Sequence, residues 1–350
     1  MMAAHNIPKN WQQAVNLAQY TTLKVGGPAE YFVSVTTDIE LQSAIRLAKQ
    51  NEFPITILGG GSNVLVDDDG VPGVVIRLRS DDISWSEEAN QILLRCEAGA
   101  CFDDVIAYTT DQGWWGLENL SAIPGTVGAT PVQNVGAYGV EVADSIHSIE
   151  VYDSENDTFF MLSPTECEFG YRTSIFKTTK AAAWVITAVT FLLTTEPRPN
   201  LSYPDLTALS TEFITNSQVV RAHIQSVRAG KFPDWQLVGT AGSFFKNPII
   251  PVIHYQKLKM TYPGLPGYPM SNDMVKVPLG WILDKVCGLR GYKDGAVGTY
   301  EKQALVLVQV GGATAADIYT VIDHISRMVR RATDIEITLE VTTLPSGRFL

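Results

Sequence analysis

The chain has 350 residues, 45% hydrophobic and 18% charged, with a formal net charge of -11 at pH 7. These totals describe a folded globular protein with room for two or three domains, and the acidic balance disfavours nucleic acid or an anionic membrane as its partner. Its four cysteines (Cys96, Cys101, Cys167, Cys287) form no CxxC pair and its five histidines are scattered, so no metal site is expected and a reducing compartment fits.

In chain order, "MMAAHNIPKNWQQAVNLAQY" has no basic region followed by an apolar run, and no signal peptide is expected. From Asp38, the spacing of Leu41, Ala44, Ile45 and Ala48 predicts a helix, followed by a strand and glycine turn in "ITILGGGSNVLV". A dinucleotide fingerprint or P-loop needs a helix after its glycines, whereas "VLVDDDGVPGVVIRL" reads as more strand. On the residues alone, Gly59, Gly60, Gly61, Ser62 and Asn63 are either a tight hairpin or a run of amides able to hold an anion.

A helix is expected near "CFDDVIAYTTDQG", among strands "ILLRCEAG", "SIHSIEVYD", "TFFML" and "WVITAVTFLL". The apolar run from Ala181 to Leu193 falls short of the roughly 18 residues a membrane span needs and is expected to be a buried strand. Between these lies "IPGTVGATPVQNVGAYGVEV", Ile123 to Val142, with four glycines, two prolines and one charge, Glu141. Glycine and proline weaken helix and strand alike, yet the stretch is too apolar for a solvated linker. It reads as bare backbone packed against something side chains would obstruct.

"TTEPRPNLSYPDL" reads as a connection. Helices are expected around Val219, Ile224 and Val227, over "PLGWILDKVCGLRG", and over "TAADIYTVIDHISRMVRRAT", whose Thr314 and Asp317 form a start signal. A last strand is expected in "IEITLEV". The order suggests an α+β protein of three pieces, 1–80, 81–232 and 233–334, with 335–350 returning to the first.

Four constellations hold polar residues that need an explanation. Arg172 in "YRTSIFK" sits among apolar neighbours and needs an anion or an acceptor, and a structural ion pair would serve. Ser243 in "AGSFFKNP" is a turn hydroxyl or a reacting one. Glu340 alternates with Glu336 in a period-two strand, which a solvent face alone would explain. Arg228 and Lys231 in "VRAGKFPD" are surface cations or a phosphate clamp.

Seven stretches together resemble the UDP-N-acetylenolpyruvoylglucosamine reductase family, across nearly the whole chain and in family order: "TTLKVGGPAEYFV", "ILGGGSNVLV", "GLENLSAIPGTVGATPVQNVGAYGVEV", "YRTSIFK", "AGSFFKNP", "PLGWILDKVCGLRG" and "QALVLVQ". "SYPDL" is similar to the form of the family with a substrate-covering tyrosine loop. The resemblance implies a vanillyl-alcohol-oxidase-type (PCMH-type) FAD-binding fold in the first two pieces and an α+β substrate-binding third piece. Non-covalent FAD would lie against Gly59, Gly60, Gly61, Ser62 and Asn63, and against Ser121, Ile123, Gly125, Thr126, Gly128, Ala129, Gln133, Asn134, Gly136, Ala137, Tyr138 and Gly139. It further implies that NADPH reduces the flavin, that hydride then passes from the flavin N5 to C3 of UDP-N-acetylglucosamine enolpyruvate, and that Ser243 protonates C2. Arg172 and Glu340 would stabilise the enolate-like charge, with Tyr203, Arg228, Lys231, Asn247 and Gln303 binding substrate. A cytoplasmic enzyme of peptidoglycan precursor synthesis, without an obligate protein partner, is implied.

One departure stands out. The family's Glu-Val-Arg reads Glu340, Val341, Thr342 here, which leaves Arg348 or another cation to replace the arginine and leaves Glu336 as an alternative acid. Two other readings compete. The first, an oxidase of a hydroxy acid or sugar lactone, predicts oxygen as acceptor. The second, a non-catalytic flavin-binding module, would not require Arg172, Ser243 and Glu340.

Overall fold

The computed structural model describes residues 7–209 and 216–345, which fall into two compact units. The chain enters the second unit three times: residues 16–28, 62–71 and 229–350 belong to it and the rest to the first.

The first unit contains a four-stranded sheet in the order Gln12–Asn16, Pro28–Val35, Val71–Leu78, Ile55–Leu58, with the last two parallel. Helix α1 (Asp38–Gln50) joins Pro28–Val35 to Ile55–Leu58, starting where the Thr37 hydroxyl accepts from Glu40 N. It buries Leu41, Ala44, Ile45 and Ala48 against Val33, Val35, Val74 and Ile76. A five-stranded antiparallel sheet follows, ordered Thr158–Leu162, Ile146–Asp153, Trp184–Thr194, Gln91–Glu97, Ile83–Glu88. The apolar run is its buried central strand, as expected, and "TTEPRPN" connects it to the next segment without regular structure. Helix α2 (Phe102–Asp111) lays Phe102, Val105 and Ile106 on Leu94, Val189 and Phe191.

The same core takes Val127 and Val142 from the glycine-rich stretch, with Ile123, Val132, Val135, Ala137 and Val140 packed against it, so that segment is pinned along its length by its apolar side chains. Between them Gly136–Ala137 pairs with Val140–Glu141. The two-residue turn joining them has φ of 49° at Tyr138 and 82° at Gly139, the left-handed pair that a tight hairpin needs and that glycine accommodates. Helix α3 (Ser217–Lys231) buries Val220 and Ile224, and Val219, expected on its inner face, is exposed: the buried stripe is set one residue later.

The second unit is built on a core of Phe244, Phe245, Leu279, Ile282, Leu283 and Leu307 with helices α4 (Val252–Thr261) and α5 (Leu279–Trp281), which continues as a wider turn over Ile282–Val286. Helix α6 (Ala315–Thr333) contributes Ile318, Val321, Ile322, Ile325 and Val329. Its start carries the expected reciprocal Thr314–Asp317 cap, and the Asp68 carboxylate accepts from Ala315 N and Ala316 N at 2.7 and 3.0 Å.

The expected last strand over Ile335–Val341 forms only isolated pairing, Phe245 opposite Leu339; the regular strand is Thr342–Leu344, parallel to Val64–Val66. Around that bridge Lys246 N donates to Thr338 O and Glu340 N donates to Phe244 O, each at 2.9 Å, so the contact spans only a few residues. Among the described residues no helix is long and apolar enough to cross a membrane.

Candidate active site

The two glycine stretches separated in sequence meet within the first unit. A Cβ placed on Gly60 would lie 2.8 Å from Gly125 Cα, and one on Gly59 would lie 2.7 Å from the Thr126 hydroxyl. Both are closer than real side chains approach, so only bare backbone allows this contact. Gly128 is packed the same way on Ala98, 2.5 Å from an added Cβ to the Ala98 Cβ. These contacts bring the two glycine stretches together as closely packed main chain, whose backbone amides could serve an anion.

The downstream half of the loop is held by its own polar groups. Asn134, buried with φ 47°, donates to Glu141 Oε2 at 2.6 Å and to Gly170 O at 3.2 Å, and its Oδ1 accepts from Ala143 N. Ser121 is buried and its hydroxyl donates to Glu118 O. Arg172, itself left-handed at φ 54°, donates from Nη2 to Gly136 O at 2.7 Å and stands over the Tyr171 ring, 5.5 Å from its centroid. The structure thus brings Arg172 to the glycine-rich loop, where its Nη2 meets Gly136 O.

Tyr203 meets Tyr138 edge to face, with ring centroids 5.4 Å apart. Arg228 is part-buried, donates from Nε to Ala122 O at 3.2 Å, and hydrogen-bonds Tyr138; desolvation pushes its pKa down, partly offset by the Tyr138 oxygen. Burial likewise raises the Tyr138 phenol. Lys231 is the last residue of α3 and is part-buried.

The second unit gathers another set. Ser243 bridges to Val306, Phe244 N donates to Leu305 O at 3.0 Å, and Glu340 N donates to Phe244 O at 2.9 Å. The backbone carriers of Ser243 and Glu340 are therefore direct neighbours. Asn63 joins them: its Nδ2 donates to Glu340 O at 3.1 Å, and its own carbonyl accepts from Thr342 N at 3.0 Å. Asn247 Oδ1 accepts from Leu279 N at the start of α5, and Gln303 Oε1 lies where a Cβ on Gly280 would approach to 2.8 Å. Glu336 is elsewhere, exposed and paired with Arg330 at 3.4 Å. Arg348 lies outside the described residues.

Sequence reading missed Asn119, Asp103 and Glu118. Asn119 is buried and its Nδ2 donates to Tyr138 O and Asn200 O, both at 2.9 Å, tying the glycine loop to the segment that carries Tyr203. Asn200 in turn donates to Gly139 O at 3.3 Å and accepts from the Ser202 hydroxyl at 2.7 Å. No local pattern marks Asn119 and Asp103, since Asn200 and Arg221, which they hold, lie far along the chain.

Known proteins bear on this geometry. Residues 29–160 match the family described as "FAD binding domain", and residues 234–344 match "UDP-N-acetylenolpyruvoylglucosamine reductase, C-terminal domain". The chain is 37% identical over 337 residues to the UDP-N-acetylenolpyruvoylglucosamine reductase of Neisseria gonorrhoeae, covering 95% of this chain and 97% of that one. The enzyme of the same name from Pseudomonas aeruginosa is 37% identical over 333 residues, covering 94% and 97%. The crystal structure of the Thermus caldophilus UDP-N-acetylenolpyruvylglucosamine reductase superposes with a TM-score of 0.66 at 26% identity, covering 95% of this chain and 97% of that chain.

Proposed function

The chain belongs to the UDP-N-acetylenolpyruvoylglucosamine reductase family, and we propose that its two residue sets carry out the two halves of that family's reaction. It is an FAD-dependent oxidoreductase of peptidoglycan precursor synthesis, and its α+β flavoprotein fold is the expected one. The observation that carries the reading is similarity along nearly the whole chain, with both constituent domain families matched. The working pieces are 1–80 and 81–232 for the cofactor and 233–334 for the substrate, with 335–350 returning to the first. The enzyme acts in the cytoplasm without an obligate protein partner.

FAD, when bound, would supply hydride chemistry between NADPH and the enolpyruvyl C3 of UDP-N-acetylglucosamine enolpyruvate. The glycine-rich residues from Gly59 to Asn63 and from Ser121 to Gly139 would hold it, with backbone amides available to its pyrophosphate. Arg172, steadied by Gly136 O, serves the substrate carboxylate, where negative charge grows. Glu340 shares that work from its place beside Phe244. Ser243 gives its proton to C2. A serine hydroxyl is a poor acid, but an enolate-like carbon held against it is basic enough to take the proton. Tyr203, Arg228, Lys231, Asn247 and Gln303 hold the sugar nucleotide.

The test is anaerobic. Protein reduced with NADPH and then given the enolpyruvyl substrate should recover its oxidised flavin absorbance without oxygen. In Ser243→Ala, reduction by NADPH should be nearly unchanged while reoxidation by substrate slows by about 10²–10⁴-fold, the usual worth of a positioned proton donor. Equal losses in both half-reactions would exclude Ser243 as the donor, and reoxidation only on admitting air would favour the oxidase.

A further inference from the structure

We propose that Asp103, paired with Arg221, is a positioning residue that fixes the entrance of the flavin loop. The proposal rests on the reading of Ile123–Gly139 as that loop. Ala122, immediately before it, has φ 60°, a left-handed conformation that a residue with a Cβ keeps only when its surroundings over-determine it. Side chains hold both of its backbone polar groups. Its N–H donates to Asp103 Oδ1 at 2.6 Å, and its carbonyl accepts from Arg228 Nε at 3.2 Å.

Three further contacts make this a clamp. Arg221 grips Asp103 with two prongs, Nη1 to Oδ1 at 2.5 Å and Nη2 to Oδ2 at 3.1 Å. The pair is mostly out of water, with side chains 13% and 27% exposed, so either partner alone would be a poorly solvated charge. Next to Asp103, Phe102 N donates to Gly125 O at 3.1 Å. The first turn of α2 therefore holds the four residues Ala122–Gly125 at both ends, and Asp103 sits where the helix N-terminus favours its negative charge. Gly125 is the residue against which Gly60 packs, so a shift at Ala122 is transmitted to the contact between the two glycine stretches.

The experiment titrates FAD into apoprotein, following flavin fluorescence for affinity and visible circular dichroism for the ring environment, and melts each apoprotein in parallel. Asp103→Ala should raise the FAD dissociation constant about tenfold or more, the effect of losing a hydrogen bond to a charged acceptor, and should alter the flavin dichroism. The double variant Asp103→Asn/Arg221→Met keeps an acceptor for Ala122 without a stranded charge and should bind FAD within about threefold of the native protein. If Asp103→Ala does not fold, Arg221→Met serves in its place, with an expected loss of a few-fold in affinity. A lowered melting temperature with FAD affinity within about twofold of native would reduce the pair to scaffolding and overturn the proposal. Gly60→Ala is the control. If it too leaves FAD affinity intact, the loop reading itself fails. If it weakens FAD while the clamp variants do not, only the role given to Asp103 falls.

Discussion

Glu118 is a carboxylic acid only 4% exposed, answered by a single side-chain contact in which Gly116 N donates to Oε2 at 2.7 Å. Burial pushes its pKa above the ordinary carboxylate range, partly countered by that N–H. The folded state thus holds the proton more tightly than the unfolded chain. The stability this contributes is complete below the unfolded value of about 4.3 and is lost as pH rises through the raised folded value. Glu118→Gln removes the titration while keeping an oxygen for Gly116. It should melt higher than the native protein at pH 7 and converge with it near pH 4, as parallel thermal melts will show. Asn119 beside it has a buried Oδ1 without a hydrogen-bond partner. Such an acceptor costs about 1–3 kcal/mol, so this asparagine is held in place by what its two donors do.

At the scale of elements, the glycine stretches act by what they omit. Gly60→Ala would force its methyl to 2.8 Å from Gly125 Cα, backbone against backbone, with no flexible side chain to yield. The variant should fold, since both sheet cores are untouched, yet purify with little or no flavin; the ratio of flavin to protein absorbance checks this. These stretches were legible in the sequence because composition alone rules out regular structure there. Helix α6 was legible too, its start signalled by Thr314 and Asp317 and its inner face by a 3.6-residue period. The interrupted segment before Thr342 was not. Alternation predicts a strand, and only the fold shows that its pairing with the Phe244–Lys246 segment is confined to a few residues. Asp103 was invisible for a different reason: it and Asp104 look alike as acids of a first turn, and only the fold brings Arg221 to one of them.

For the whole molecule, the division of the chain matters more than its length. The second unit draws on residues 16–28 and 62–71 as well as 229–350, so a contiguous C-terminal piece starting near 229 would lack part of its own structure. Thr342–Leu344 completes it by pairing with Val64–Val66, and Asp67 N donates to Leu344 O at 2.8 Å. A chain ending at Val341 leaves that strand and the buried Leu65 and Val66 without cover. It should melt several degrees lower, in line with a loss of a few kcal/mol, and be cleaved at a lower urea concentration on pulse proteolysis.

The same pairing has a consequence for how the protein is made. Val64–Val66 leaves the ribosome well before its parallel partner, which begins 276 residues further on (342 − 66), and at about 5–20 residues per second the wait is tens of seconds. Throughout that interval a short apolar strand has an open edge, available to any other extended segment, including those of neighbouring nascent chains on the same message. Slowing translation of the codons just before Thr342 should therefore lower the soluble yield of this protein more than slowing the codons just after residue 71.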